Sequence, residues 1–208
     1  MDRLSRDDVL QIMHGLRSLM EEKKDYLVEL DGVMGDGDLG LTMSKAFISA
    51  DEVLQGGGEE DIGKIFMKAG MTMAKSAPST MGTLIATGFM RGGKALSGKQ
   101  EIDAAGLAEF FHAFVQGLMD RGKAKPGDKT IIDSLYPAAE MLAAEKDGGL
   151  KKALAAALAA AEEGLESTKE MIAQHGRVAY YKEQSLGKVD PGATVGVYIV
   201  QGFARAVL

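Results

Sequence analysis

The hydrophobic and polar positions along the chain repeat with the period of an α-helix. In the first such segment, residues 6–24, apolar residues recur from Val9 to Met20 at steps of three and four. Ser5 and Asp8 have the spacing of a capping box, which starts a helix. The pattern therefore predicts an amphipathic helix with one buried face.

The same period recurs between clusters of Gly, Pro and Asp along the rest of the chain. Seven further helices are predicted, over residues 42–54, 61–75, 82–96, 103–119, 131–144, 150–173 and 194–207. Strand-like alternation is weak, and its best example, Val195 to Val200, suits a buried helix equally well. Eight helices with short loops indicate an all-α fold, an antiparallel bundle, in a single domain over residues 1–208.

Composition narrows the classes of function. With 46% hydrophobic residues among 208, the chain can bury a core of its own. It has no cysteine, which excludes disulfides, thiolate nucleophiles and Cys-ligated zinc. The net charge of −6 argues against nonspecific nucleic-acid binding. No run of about 18 uncharged apolar residues occurs, and the amino terminus lacks an apolar stretch, so we expect a cytoplasmic protein with no membrane partner.

Three aspartates, Asp31, Asp36 and Asp38, stand within eight residues in a stretch that also holds four glycines. Carboxylates held this close repel one another unless a cation lies between them. With no cysteine and no nearby histidine, the candidate ions are Mg²⁺, Mn²⁺ and Ca²⁺, which take oxygen ligands. The simpler alternative is a helix-capping turn with solvated acids, since Asp is a favoured cap.

Two standard motifs fit this stretch poorly. Gly35, Gly37 and Gly40 have the spacing of a dinucleotide fingerprint, but the aspartates between them would repel a pyrophosphate. An EF-hand that begins at Asp36 would need a glutamate where the chain has Phe47. Neither motif therefore explains the acidic stretch.

Four sequence blocks in a fixed order point to one known family. They are Leu30–Asp38, Met81–Thr83, Arg121–Thr130 and Gly176–Thr194. Together they resemble the nucleotide-binding L-subunit of dihydroxyacetone kinases over nearly the full length of the chain. Each block alone is weak evidence, but four with consistent spacing are specific. The resemblance implies a barrel of eight antiparallel helices with ADP or ATP bound at one end.

The resemblance also implies which residues bind the metal and the nucleotide. The metal ligands would be Asp31, Asp36 and Asp38, holding two Mg²⁺ ions, with Mn²⁺ as a substitute, that bridge to the phosphates. The positions expected beside the phosphates are Leu39, Gly40, Leu41, Thr42, Ser76, Ser79 and Thr80. Those expected around the nucleoside are Gly122, Ile131, Arg177, Asp190, Pro191 and Gly192. Taken singly, these residues also fit ordinary roles in helix stops, core, surface and turns.

Thr42 would donate both its hydroxyl and a helix amino-terminal amide to a phosphate. The chain departs from the family pattern in two places. Leu39 stands where many members have a histidine that contacts phosphate, and residues 75–83 replace a glycine-rich loop with a shorter one. The departures suggest a subgroup with another ketose or another phosphoryl source.

The implied activity is transfer of the terminal phosphoryl group of ATP to dihydroxyacetone or a similar small ketose. No catalytic residue beyond the metal ligands is expected, and the three histidines, His14, His112 and His175, are assigned no role. The chain ends at Leu208 without a ketose-binding domain, so a substrate-binding K-type subunit is the expected partner. Either ATP exchanges freely, or bound ADP is recharged by a phosphotransferase-system protein.

Two other hypotheses remain open from the sequence. One is a noncatalytic nucleotide-binding subunit with a regulatory or docking role. The other is a plain helical scaffold whose acidic turn binds nothing.

Overall fold

A computed structural model of the protein describes residues 2–208, and most of them are helical. The α-helices are α1 Arg6–Glu22, α2 Lys24–Gly32, α3 Leu39–Leu54, α4 Ile62–Ser76, α5 Thr80–Ala95, α6 Ala104–Gly122, α7 Ile132–Ala144, α8 Gly149–Ser167 and α9 Pro191–Arg205. Short 3-10 turns cover Lys146–Gly148, Thr168–Glu170 and Arg177–Ser185. Two strands of two residues each, β1 Leu4–Ser5 and β2 Glu101–Ile102, pair antiparallel. Between residues 2 and 208, no helix is both long and apolar enough to cross a bilayer.

Eight of the helices form a closed ring. Beginning with α3, each packs against the next along the chain, and α9 returns to pack on α1, which in turn packs on α3. The short helix α2 lies against α3 and contacts α9. The prediction of an all-α barrel is confirmed.

The described residues contain nine α-helices instead of the eight predicted, because a short helix follows the first one in a stretch that the prediction left unassigned. Lys23 adopts φ −90° and ψ 0°, which ends α1, and residues 24–32 continue as a separate helix. The capping box of Ser5 and Asp8 is present as the sequence predicted. The extra helix α2 carries Asp31 to its position beside α3.

Several helix boundaries differ from the sequence prediction, and three of them bear on the site. Helix α8 ends at Ser167, because residues 168–170 tighten into a 3-10 turn and Met171 is extended. Helix α3 begins three residues early, at Leu39. Helix α9 begins at Pro191, a residue type favoured in the first helical turn, with the Asp190 side chain as its cap.

The core is centred on phenylalanine rings. All seven phenylalanines of the sequence are fully buried, and they are contributed by five helices. The rings are those of Phe47, Phe66, Phe89, Phe110, Phe111, Phe114 and Phe203. Their centroids lie 4.4–6.3 Å apart, within the range of favourable aromatic pairs. Contacts of this kind fix α3, α4, α5, α6 and α9 relative to one another.

Helix α4 approaches α5 closely at glycine positions. A Cβ atom added at Gly70 would lie 2.7 Å from the carbonyl oxygen of Ala86 and 2.8 Å from Cγ of Met90. No side chain fits in that space without moving the two helices apart. The absence of a side chain therefore sets the distance between α4 and α5.

We expect Gly70→Ala to lower the free energy of unfolding by about 1–3 kcal/mol, the usual effect of overpacking a core. The matched control is Gly15→Ala on α1, where an added Cβ meets nothing within 4 Å. That control should be neutral or stabilise by up to about 1 kcal/mol, because alanine favours a helix over glycine. Urea unfolding of the two variants measures both effects. Equal stability of the two variants would contradict the close approach of α4 and α5.

Candidate functional site

One cavity of about 590 Å³ opens where several helix ends meet. Residues at the amino ends of α3, α5, α7 and α9 and at the carboxyl end of α6 line it. Helix amino termini present unpaired amides and a partial positive charge, so their convergence favours an anionic ligand. The ring of helices thus brings several helix amino termini, which favour an anion, to one cavity.

The lining falls into a polar and an apolar side. The predicted site residues among it are Asp31, Asp36, Asp38, Leu39, Ser79, Thr80, Gly122, Ile131, Arg177, Asp190, Pro191 and Gly192. The apolar side is completed by Met81, Leu84, Leu118, Ala124 and Ile132. A ligand with a flat apolar end and a charged end matches this division.

The three aspartates converge at the mouth of the cavity. Asp31 lies in the last turn of α2, Asp36 in the following loop and Asp38 at the amino cap of α3. One carboxylate oxygen from each lies within 4.8 Å of the other two. The turn between them requires glycine, because Gly37 has φ +71° and a Cβ at Gly35 would collide with Asp31.

The charges in this cluster oppose one another. Burial raises the pKa of Asp38, and the negative charges of Asp36 and Asp31 raise it further. The positive charge of Arg177 lowers it, and the Arg177 guanidinium lies 2.7 Å from the Asp36 carboxylate. A hard divalent cation would relieve the repulsion, and three carboxylates form a suitable donor set for one. The residues present therefore fit a magnesium-type ion.

Residues 39–42, which were all expected beside the phosphates, do not all line the cavity. Leu39 lines the cavity, and its amide donates to the Asp31 carboxylate at 3.3 Å. Gly40 packs against α2, and Leu41 is 58% exposed outside the cavity. The Thr42 amide donates to the Asp38 carbonyl at 2.9 Å, so the amide has no proton left for a phosphate, and the contact expected of the Thr42 hydroxyl stays a prediction. The backbone amides of Gly40 and Leu41 instead belong to the turn without intrahelical acceptors.

The loop before α5 supplies hydroxyl groups. The Ser79 hydroxyl accepts the Gly82 amide at 3.0 Å and so caps α5, and its proton remains available to a ligand. Thr80 is exposed and lines the cavity beside it. Ser76 does not line the cavity, and its hydroxyl is directed toward the Met73 carbonyl at 3.5 Å. Of the three candidates, Ser79 and Thr80 lie at the site.

The opposite wall is formed by the start of α9. A Cβ atom at Gly192 would lie 2.9 Å from the Asp190 carboxylate and 3.0 Å from Cε of Met81, so this wall approaches α5 closely. The Asp190 carboxylate accepts the Ala193 amide at 2.7 Å and caps α9. Burial raises the pKa of Asp190 to about 7.

The sequence reasoning missed several residues of the loop from α6 to α7. The Asp133 carboxylate accepts the amides of Gly127 and Thr130, both at 2.6 Å, and gives this loop its shape. Asp128 lies 3.1 Å from His175, which lines the cavity although no role was expected for it. Lys129 also lines the cavity and is almost fully buried. The signal for Asp128 and Lys129 was the block Arg121–Thr130, whose polar members carried no assignment.

We expect Asp190→Asn to alter the pH dependence of stability while keeping the cap of α9. The folded chain binds a proton at Asp190 up to about pH 7, whereas an unfolded aspartate releases it near pH 3.9. The folded state therefore holds more protons in this window. The free energy of unfolding falls as pH rises through it, by at most about 1.4 kcal/mol per pH unit.

Urea unfolding at about pH 5 and about pH 8 compares the two proteins across most of that window. The wild type should lose stability relative to Asp190→Asn between the lower and the higher pH. Parallel behaviour of the two proteins would show that Asp190 is ionised in the folded chain.

Comparison with known proteins gives the relatives of this chain. Residues 33–205 match the DAK2 domain. The ADP-binding subunit of the PEP-dependent dihydroxyacetone kinase of Escherichia coli K12 is 35% identical over 205 residues, 98% of each chain. The ADP-binding subunit of PEP-dependent dihydroxyacetone kinase 1 of Listeria innocua is 32% identical over 90% of each chain.

A solved structure has the same fold. The dihydroxyacetone kinase of C. freundii matches 97% of this chain with a TM-score of 0.77 at 24% sequence identity. Its complex with AMP-PNP and Mg²⁺ matches 99% of this chain with a TM-score of 0.76 at 23% identity. This chain spans 35% of that longer kinase. From the domain match and the full-length likeness to bacterial ADP-binding subunits, this chain belongs to the DAK2 domain family of dihydroxyacetone kinase ADP-binding subunits.

Proposed function

We propose that this protein is the nucleotide-binding, phosphoryl-transferring subunit of a two-component kinase for dihydroxyacetone or a related small ketose. The observation that carries the proposal is the convergence of Asp31, Asp36 and Asp38 at the mouth of a cavity with an apolar inner wall. Such a cavity suits a nucleotide whose base lies on the apolar side and whose phosphates meet a metal at the carboxylates. The likeness to ADP-binding subunits supports the same conclusion.

The three aspartates would hold two Mg²⁺ ions, with Mn²⁺ as a substitute. The ions would neutralise the phosphates and the charge that develops on the transferred phosphoryl group. The chain itself orients the nucleotide. Ser79 and Thr80 would donate hydroxyl hydrogen bonds on the phosphate side, and Ile131 and Gly192 would pack against the nucleoside. No nucleophile from this chain is required, since the attacking hydroxyl belongs to the ketose.

The ketose would be held by a K-type partner subunit, and the mouth of the cavity would face it. The relatives of matching length are named as ADP-binding subunits of kinases that depend on PEP or on a phosphotransferase system. These names favour the version in which ADP stays bound and is recharged by a phosphoryl donor protein. Relatives with longer chains, such as human triokinase/FMN cyclase, are spanned by this chain over 32% of their length. A reaction that uses ADP and ATP is consistent with a cytoplasmic location, which is part of the proposal.

A noncatalytic nucleotide-binding subunit is the second candidate. The observation that favours it is Leu39, an apolar side chain that lines the cavity where many family members have a histidine against the phosphates. A regulatory or docking subunit would still bind the nucleotide and its metal, but would transfer nothing.

We expect ADP or ATP with Mg²⁺ to raise the melting temperature of the protein, and either one alone to raise it much less. At a nucleotide concentration of about one hundred times the dissociation constant, the stabilisation would be about 2.7 kcal/mol. The double variant Asp36→Ala with Asp38→Ala should lose this shift, because the metal then lacks two ligands. Thermal melts of protein shown to be free of bound nucleotide measure it.

The matched control is the double variant Asp25→Ala with Glu29→Ala. Both residues lie on α2, outside the cavity, and both are exposed. The control changes the net charge as much as the Asp36 and Asp38 double variant does, and it should keep the full rise in melting temperature. No shift in the wild type would refute the nucleotide-binding proposal and leave a helical scaffold. Loss of the shift in the control as well would refute the assignment of the aspartate ligands.

Activity separates the two candidate functions. With a dihydroxyacetone-loaded partner subunit and either ATP or a phosphotransferase donor, the wild type should form the ketose phosphate, and the Asp36 and Asp38 double variant should not. Nucleotide retained through gel filtration would support bound ADP as the phosphoryl carrier. Binding without any product from either donor would favour the noncatalytic subunit.

A further inference from the structure

The Lys129 side chain is surrounded by backbone carbonyls inside the protein. The residue is 2% exposed. Its ammonium donates to the carbonyl oxygens of Thr168 at 2.7 Å, Ser185 at 2.6 Å and Lys188 at 2.7 Å, with that of Met171 at 3.3 Å. An ammonium has three protons, so the three short bonds use all of them.

These carbonyls belong to the connection between α8 and α9, residues 168–190. The connection contains two 3-10 turns, and its middle, from residue 174 to 184, has no buried residue. A segment with so little buried surface gains little stability from packing. Hydrogen bonds to a charged group are stronger than those between neutral groups. The ammonium of Lys129 is therefore a principal anchor of this connection.

The connection carries residues of the candidate site. His175, Gly176 and Arg177 line the cavity from its middle, and Asp190 lines it from its end. The carbonyls bound by Lys129 lie on both sides of the first three in the sequence. Fixing those carbonyls therefore fixes the chain that presents the cavity-lining residues.

The backbone of Lys129 adopts φ +58°, the left-handed region that side chains other than glycine and asparagine rarely occupy. Such a conformation is strained, and it persists where surrounding interactions hold it in place. Lys123 has the same φ of +58°, but its side chain is exposed. The two lysines thus share a backbone conformation and differ in their contacts.

We propose that Lys129 is a positioning residue for the nucleotide site, an internal cation that holds residues 168–188 in the form that completes the cavity. It acts through the backbone of the connection and does not contact the nucleotide, because its protons are already used by carbonyls. The effect on nucleotide affinity rests on the proposed function. The effect on the connection does not.

The experiment compares Lys129→Ala with Lys123→Ala, which removes a lysine of the same backbone conformation without the carbonyl contacts. The first readout is amide hydrogen exchange without nucleotide. In Lys129→Ala, exchange within residues 168–188 should accelerate by about tenfold or more, given the strength of hydrogen bonds to a charged group. Exchange in α3 to α6 and all exchange in Lys123→Ala should stay as in the wild type.

The second readout is the affinity for Mg²⁺ and ADP. Lys129→Ala should weaken it by about tenfold or more, the loss expected when an ordered site becomes only partly populated. Added n-propylammonium replaces the deleted part of the side chain and should restore both slow exchange and affinity. Tetramethylammonium at the same concentration cannot donate a hydrogen bond and should restore neither.

The outcomes separate this inference from the proposed function. Faster exchange confined to the connection with specific rescue supports the anchor even if the wild type binds no nucleotide, which would refute the proposed function alone. Unchanged exchange in Lys129→Ala refutes the anchor. If Lys129→Ala does not fold, Lys129→Arg is measured in the same way, because arginine keeps the positive charge on a planar group. Global unfolding of both variants would show that Lys129 supports the whole fold and would refute the positioning role. If Lys129→Ala lost affinity for Mg²⁺ and ADP while its exchange stayed unchanged, Lys129 would contact the nucleotide directly. That result would also contradict the proposal.

Discussion

The interlocked phenylalanine core is the constraint on which the rest of the structure depends. Its rings come from α3, α4, α5, α6 and α9, so none of these helices can slide without disturbing at least one aromatic contact. The close approach of α4 and α5 at Gly70 adds a backbone contact with no adaptable side chain. Because the core fixes the helices, it also fixes their ends. The cavity is built almost entirely from helix ends and the loops beside them, and it is therefore formed before any ligand arrives.

The electrostatics of the cavity combine two opposing tendencies. Helix amino termini attract negative charge, which favours an aspartate at each cap. Asp38 and Asp190 both occupy such positions, on α3 and α9. The carboxylates around Asp38 also repel one another, and Asp190 is deeply buried, so the pKa of each is raised. A cation bound among Asp31, Asp36 and Asp38 would offset the repulsion there, and capping hydrogen bonds offset the burial of Asp190.

The helical periodicity was sufficient to predict the all-α barrel, because each ring helix buries one face and repeats its apolar residues accordingly. The same reasoning missed α2, because the buried residue of that short helix is Leu27 alone and a single buried position leaves no apolar stripe in the sequence. It also extended α8 to residue 173, because residues after Ser167 retain helical propensity while their carbonyls are taken by Lys129. Local patterns predict local structure, and contacts across 39 to 59 positions in sequence decide these exceptions.

The acidic cluster could be predicted because mutual repulsion among close carboxylates is visible in the sequence itself. Residues such as Asp128, Lys129 and His175 could not be assigned in the same way. Each is common in exposed loops. The connection that returns from α8 covers Asp128 and Lys129, and His175 belongs to that connection. Thr42 shows the converse error, since a helix start displaced by three residues changes which amides are free.

An ion pair joins two of the stretches of chain that line the cavity. Asp36 belongs to the acidic turn before α3, and Arg177 belongs to the connection held by Lys129. Both side chains are largely exposed, so their pair contributes only about 0–1 kcal/mol. A divalent cation that binds the acidic turn would compete for Asp36 and release Arg177 with little loss of stability. In the proposed function, the guanidinium would then remain beside the anionic end of the nucleotide, and metal binding on one stretch would be coupled to nucleotide binding on the other.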